Sequence, residues 1–327
     1  MNNLDFLLKD VERIEILTVI DNYVDLLLEG SDIVTRPPLA KGREISSDTL
    51  LAEHGLSLMV TVHVGGKKHT ILFDTGYSQI GVPHNLEQLE VDLKEIEAVV
   101  LSHGHMDHTG ALYAVLKKIS RPVPLVFHPD VLLHPRYLGL EDGQKLLFPQ
   151  TLVKKDLDDQ RTEIFESKTP VPLADHTILV TGEIERITSF EKGLPNALVE
   201  IDGKIKKDPI SDDQSLVINL KGKGLVVISG CSHAGIINTV LYAKKITGVD
   251  KIHAVLGGFH LAGPFFEQII KDTIVELKKM SPEIIVPMHC TGWKAIQQFS
   301  QEFPSSFLLN SVGSKFTLLC SPFKVNQ

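Results

Sequence analysis

Three histidines and an aspartate fall within six residues in His103-Gly104-His105-Met106-Asp107-His108. Imidazole nitrogen and carboxylate oxygen are the donors that suit zinc, iron or manganese. His103 and His105, two apart, can point the same way from an extended loop. Asp107 and His108 then turn toward a second point where a helix begins. One short loop can thereby feed two adjacent metal ions. A surface loop that is His-rich by chance explains the stretch poorly. It would set four possible ligands and small residues at the end of a buried strand for no structural reason.

Those residues need elements to hold them. The apolar run 96–101 (IEAVVL) reads as a strand buried on both faces. Residues 110–119 follow at helical spacing, with lysines near the C-terminus. Before them, 15–20, 55–64 and 69–74 read as strands, the last two joined by a Gly65-Gly66 hairpin signal. The second half repeats this grammar. Strands 215–220 and 225–229 flank a Lys-Gly-Lys-Gly turn. A helix at 236–246, a strand at 251–256, an amphipathic helix at 264–280, a strand at 284–287 and a helix from Trp293 follow. The doubled pattern predicts an α/β protein with two mixed sheets packed face to face and helices outside. Residues 139–213 are polar, broken by prolines and glycines, and too long for a plain connection. They read as an insertion with its own short strands covering the active site, within one domain spanning 1–327. A mobile surface excursion is the alternative.

Composition narrows the field. With 327 residues, 43% hydrophobic and 23% charged, the chain has material for a sizeable core and no long polar tract of the disordered kind. The apolar stretch 17–28 is broken by Asp21, Asn22 and Asp25, whereas a membrane helix needs ~20 apolar residues. Residues 1–13 carry Asp5, Asp10 and Glu12 and lack the basic start of a secretory signal. A net charge of −8 disfavours nonspecific nucleic-acid binding. Three cysteines, odd in number and far apart, argue against a disulfide framework and for a reducing cytoplasm. No Walker motif or dinucleotide fingerprint occurs.

His-x-His-x-Asp-His after a core strand resembles the signature of the metallo-β-lactamase superfamily. Further stretches resemble its dihydropteroate-synthase-like metallo-hydrolase branch. They are Glu53-His54-Gly55-Leu56-Ser57, Phe73-Asp74-Thr75-Gly76, Gly182-Glu183-Ile184, Gly230-Cys231-Ser232-His233, Gly257-Gly258-Phe259-His260 and His289-Cys290-Thr291-Gly292. The resemblance covers most of 14–318. It implies an αββα sandwich and two divalent metal ions, zinc foremost, with iron, manganese or magnesium as alternatives.

It also implies later ligands in loops that follow strands. His233 and His289 match such places. Cys231 stands where the superfamily's bridging Asp is usual, either as a ligand or as a buried thiol shaping the loop. The His expected before the second hairpin is replaced by Ser211-Asp212-Asp213-Gln214, where Asp213 could offer a carboxylate. His176 is read as a surface residue. His260 could ligate, donate a proton to a leaving group, or be structural. Asp74, ending a strand, suits a carboxylate that orients the histidine loop. Arg186 could clamp a substrate anion or be a solvated arginine. Lys204, Lys206 and Lys207 read as a solvated hairpin edge.

The implied function is that of a metal-dependent hydrolase or transferase acting on a small phosphorylated or pterin-like, anionic metabolite. Asp107 would hold one metal and orient the nucleophile, and the ions would polarise a phosphoryl or carbonyl oxygen. The branch includes a dihydropterin-condensing synthase, in which the centre would instead bind a pyrophosphate leaving group. A ribonuclease-Z-like nuclease fits the acidic charge poorly. A non-catalytic ligand sensor would not need so full a ligand set. A flavodiiron enzyme would need a flavin domain for which this length has no room.

Overall fold

A computed structural model describes residues 8–159 and 162–320. Arg13–Ile20, Ser57–Val64 and Lys67–Phe73 form an antiparallel meander. Ile96–Val100 and then Leu125–Phe127 continue it in parallel, and Lys315–Leu319 returns to pair with Arg13–Ile20. In the second sheet, Ser215–Leu220 and Gly224–Ser229 make the hairpin, and Ile252–Gly258 and Ile284–Met288 add in parallel.

Alternation along each strand explains the layers. Val226 and Ile228 face the first sheet, where Val60, Ile71, Phe73 and Val100 meet them in one buried cluster. Leu225 and Val227 face the other way, into Ile237, Val240, Ile274 and Phe299 of the covering helices. On the far side, Leu72, Val99 and Leu101 pack beneath Leu112, Val115 and Leu116. Strands covered on both faces read as continuous apolar runs. The architecture is the expected αββα sandwich.

Two details depart from the sequence pattern. The single helix expected over 264–280 is broken into Gly263–Phe266, a 3-10 turn Glu267–Ile269, and Ile270–Met280. Phe266 packs edge-on against His260, with ring centroids 4.5 Å apart, while Ile270, Ile274 and Leu277 lie under the sheet. The tighter turn rotates one apolar stripe relative to the other. The short strands of residues 139–213 are divided among three sheets. Ile164–Glu166 joins the first sheet, and Val171–Leu173 with Ile178–Val180 extends the second. The flanking parts build a four-stranded sheet from Arg136–Gly139, Lys145–Leu147, Ala197–Ile201 and Lys204–Lys207. Three-residue strands are too short to show a period.

Candidate metal centre

Parallel pairing puts the C-terminal ends of successive strands on one edge, where the intervening loops converge. Lys67–Phe73 and Ile96–Val100 deliver Asp74 and the His103–His108 loop there. Gly224–Ser229, Ile252–Gly258 and Ile284–Met288 deliver Cys231 with His233, His260, and His289. The backbone bends sharply at these exits. Asp74, Ser232, His260 and His289 take φ of 62, 57, 45 and 49°, a conformation that non-glycine residues hold only where surrounding structure enforces it. Gly230 is forced by crowding, since a Cβ there would sit 2.1 Å from Ser102 Oγ.

The side chains gather into two groups. His103 Nε2, His105 Nδ1 and His233 Nε2 stand 3.0, 3.2 and 3.2 Å apart. Asp107, His108, Cys231 and His289 form the second group, with ligand atoms all within 4.8 Å of one another. In it, His289 Nε2 and His108 Nε2 lie 3.2 and 3.7 Å from Asp107 Oδ2, and His108 Nε2 lies 3.1 Å from Cys231 Sγ. Cys231 also groups with His233 and His260, so its sulfur stands between the two sets.

The donor chemistry fits metal ions. Ser102 Oγ donates to Asp74 Oδ2 at 2.7 Å and therefore accepts from His103 Nδ1 at 2.9 Å, which leaves His103 Nε2 a bare lone pair. His108 Nδ1 donates to Asp74 Oδ2 at 2.7 Å, and His289 Nδ1 to Asn22 Oδ1 at 3.1 Å, so both present Nε2 to the centre. Burial, then neighbouring imidazoles, hold His103 and His233 well below the usual histidine pKa, and burial holds His105 down to about 4. Three imidazoles whose charged form burial disfavours thus converge on one point, where His103 brings a bare lone pair. Tetrahedral zinc with Zn–N near 2.0–2.1 Å sets neighbouring nitrogens ~3.3 Å apart, close to the spacing seen.

The second group carries charge. Burial opposes ionisation of Asp107, yet His108, His289 and His105 hold its pKa far below the carboxylate range. Burial likewise opposes charge on His108, and Asp74 with Asp107 outweighs it, raising the pKa to about 9. Burial, then Cys290, pushes the Cys231 thiol up. Such a buried sulfur ionises when a cation stands beside it.

The other residues singled out in the sequence take varied places. Asp74 donates no ligand atom to either group and orients His108. Asp213 also lies outside both groups. Its Oδ2 accepts the Ala234 N–H at 2.8 Å, so it braces the His233 loop. Arg186 is exposed. Its guanidinium donates to the carbonyls of Pro209 and His233, beside the centre. His176 lies on the last residue of a short 3-10 turn, Ala174–His176, outside both groups. Phe148, from the 139–213 stretch, stacks on His105 with ring centroids 5.0 Å apart.

Asp21 and Asn22 escaped the sequence reading, whereas His54 belongs to the 53–57 stretch singled out there. His54 Nε2 lies 3.6 Å from Asp107 Oδ2 with its side chain 64% exposed, at the mouth of the centre. Asp21 Oδ1 accepts the His289 N–H at 2.8 Å. In the sequence, Asp21 and Asn22 read only as breaks in an apolar stretch. A polar pair directly after a buried strand was the available signal. An apolar cavity of about 570 Å³, lined by Leu26, Pro37, Leu39, Ile45 and Leu50 among others, shares no lining residue with either group.

Residues 54–188 match the metallo-β-lactamase superfamily model. The 7,8-dihydropterin-6-methyl-4-(β-D-ribofuranosyl)-aminobenzene-5'-phosphate synthase of Methanocaldococcus jannaschii is 35% identical over 262 residues, 78% of this chain and 87% of that protein. The chain therefore belongs to the metallo-β-lactamase superfamily. A second, uncharacterized protein of the same organism is 35% identical over 80% of this chain and 92% of its own length. Among solved structures, Tm1679, described as a metal-dependent hydrolase of the β-lactamase superfamily, superposes with a TM-score of 0.70 at 24% identity. It covers 94% of this chain and 99% of its own. YhfI from Bacillus subtilis gives 0.52 at 12% identity, covering 94% and 100%. These two speak to the fold.

Proposed function

We propose that this protein is a metal-dependent transferase that joins a pterin-type substrate to a phosphorylated aromatic one at a centre of two divalent ions, zinc foremost. The observation that carries this reading is the synthase relative, similar over most of both chains. His103, His105 and His233 would hold one ion. Asp107, His108 and His289 would hold the other, with Cys231 between them. Two such ions supply Lewis acidity toward phosphoryl oxygens and neutralise a departing anion.

The chain's own residues do the rest. Asp74 and Asn22 fix the tautomers of His108 and His289. His260, half-buried with its ring centroid 4.2 Å from that of His233, would hand a proton to a leaving group. Arg186, beside the His233 loop, would fork onto a substrate phosphate. The buried side chains around the clusters exclude bulk water from them.

Hydrolysis of a phosphorylated metabolite is the second reading, favoured by His54, whose exposed imidazole beside Asp107 is open to water. The metal-loaded protein, incubated with a dihydropterin carrying a pyrophosphorylated methyl group and with ribofuranosyl-aminobenzene phosphate, separates the two. The condensed product by mass spectrometry supports transfer. Hydroxymethyl-pterin or free phosphate alone supports hydrolysis. No turnover of either substrate overturns both for this substrate class.

A further inference from the structure

Directly before the strand Ser215–Leu220 lies Asp212-Asp213-Gln214, three polar residues that are all but fully buried. Their polar atoms go to the backbone of the two loops that carry His103, His105 and His233. Asp212 Oδ2 accepts the N–H of Gly104, the residue between His103 and His105, at 2.7 Å. Asp213 Oδ2 accepts the N–H of Ala234, next to His233, at 2.8 Å. The Gln214 N–H and side-chain amide donate to Ser102 O at 2.9 Å and Leu101 O at 2.8 Å.

The grip is itself held. Arg136, 3% exposed, forks onto both Asp212 oxygens at 2.6 and 3.0 Å, and its Nε lies 2.9 Å from Asp208 Oδ2. Burying a guanidinium and two carboxylates is costly unless the geometry is tight. Gly104 fits because a Cβ there would come 2.9 Å from Arg136 Nη1 and 2.6 Å from Val131 O.

We propose that Asp212 and Asp213, with Arg136 anchoring Asp212, are positioning residues that set the spacing of the His103, His105 and His233 ligand atoms. A carboxylate bound to the peptide between two ligands fixes both imidazoles at once. A second carboxylate, adjacent in sequence, fixes the third imidazole relative to them. The three-nitrogen group therefore depends on this tripeptide. The Asp107, His108 and His289 group is held by Asp74, Asn22 and Asp21, of which Asp74 also reaches His103 through Ser102. This inference rests on the two-ion reading of the site.

The test is cobalt(II) titration of the chelator-treated full-length protein, read by visible d–d absorption and by competition with a chromophoric chelator. Asp212→Asn and Asp213→Asn should each weaken one cobalt equivalent by about ten- to a hundred-fold, as loss of partners behind a ligand does. The d–d band of that equivalent should change, while the second equivalent keeps its affinity. Arg136→Lys, which keeps the charge but lacks the fork, should fall between wild type and Asp212→Asn. It carries the test if Asp212→Asn does not fold. Folded variants that bind both equivalents as wild type does, or lose both equally, overturn the proposal. A lower Tm without a change in cobalt affinity or spectrum does so too. If the wild type takes up no cobalt, the two-ion reading itself falls.

Discussion

The Asp74 carboxylate reaches across two strand ends to His108 Nδ1 at 2.7 Å, and both side chains are fully buried. The same carboxylate accepts from Ser102 N at 2.6 Å and Ser102 Oγ at 2.7 Å. One side chain thereby sets the ring of His108 directly and that of His103 through Ser102. Asp74→Asn should weaken metal binding by about ten- to a hundred-fold. Asp74→Ala should also lower stability by about 3 kcal/mol or more, since each buried donor left unpaired costs about 1–3 kcal/mol. Chelator competition and denaturant unfolding measure the two effects separately.

His103→Ala with His105→Ala should remove at least one metal equivalent and nearly all turnover, with some loss of stability as well, because both rings are buried. Elemental analysis of protein purified without chelator checks this. Unchanged metal content in the double variant would count against the assignment.

Cys231 is 2% exposed and lies between the two groups. Bound metal should slow its alkylation by iodoacetamide. In the cobalt protein, Cys231→Ser should abolish any thiolate-to-cobalt charge-transfer absorption. Cys320, partly exposed and outside both groups, is the control that should label equally with and without metal. Equal labelling of Cys231 in both states would remove it from the centre.

Arg186→Lys and Arg186→Ala should weaken a phosphorylated substrate by about ten- to a hundred-fold, the worth of one charge-assisted contact. The dephosphorylated analogue should change little. Paired affinity measurements on both compounds decide it. Equal effects on both would assign Arg186 to bracing the His233 loop, through the carbonyl it already contacts.

Glu191 is in neither group and caps the helix Ile236–Thr247, accepting from Ile237 N and Asn238 N at 2.8 Å each. Burial raises its pKa to about 7 from an ordinary 4.5. The folded state then holds a proton that the unfolded state has released. On this account stability is greatest below about pH 4.5, declines as pH rises, and levels off above about 7. Between about pH 5 and 8 the wild type should lose roughly 2–3 kcal/mol relative to Glu191→Gln. Urea unfolding of both proteins across that range gives the two slopes, and parallel slopes would contradict the shift.

Much of this was legible in the residues themselves. The runs at 98–101 and 225–228 are apolar throughout because each strand is covered on both faces there. That reading needs only local sequence, and it led to the sandwich. His103, His105, Asp107 and His108 are legible for the same reason, since a ligand set within six residues needs no long-range contact to be recognised. Residues whose roles depend on distant partners were not. Asp212 means little until Gly104 is seen 108 positions away in sequence, and Asn22 means little until His289 closes on it. Residues 164–166 and 178–180 became strands only because a sheet edge was there to pair with. The sequence alone determined the class of fold and the first half of the centre, through patterns set within a few residues. The tertiary structure decided which distant side chains complete and brace that centre, because parallel strands bring loops far apart in the chain to one edge.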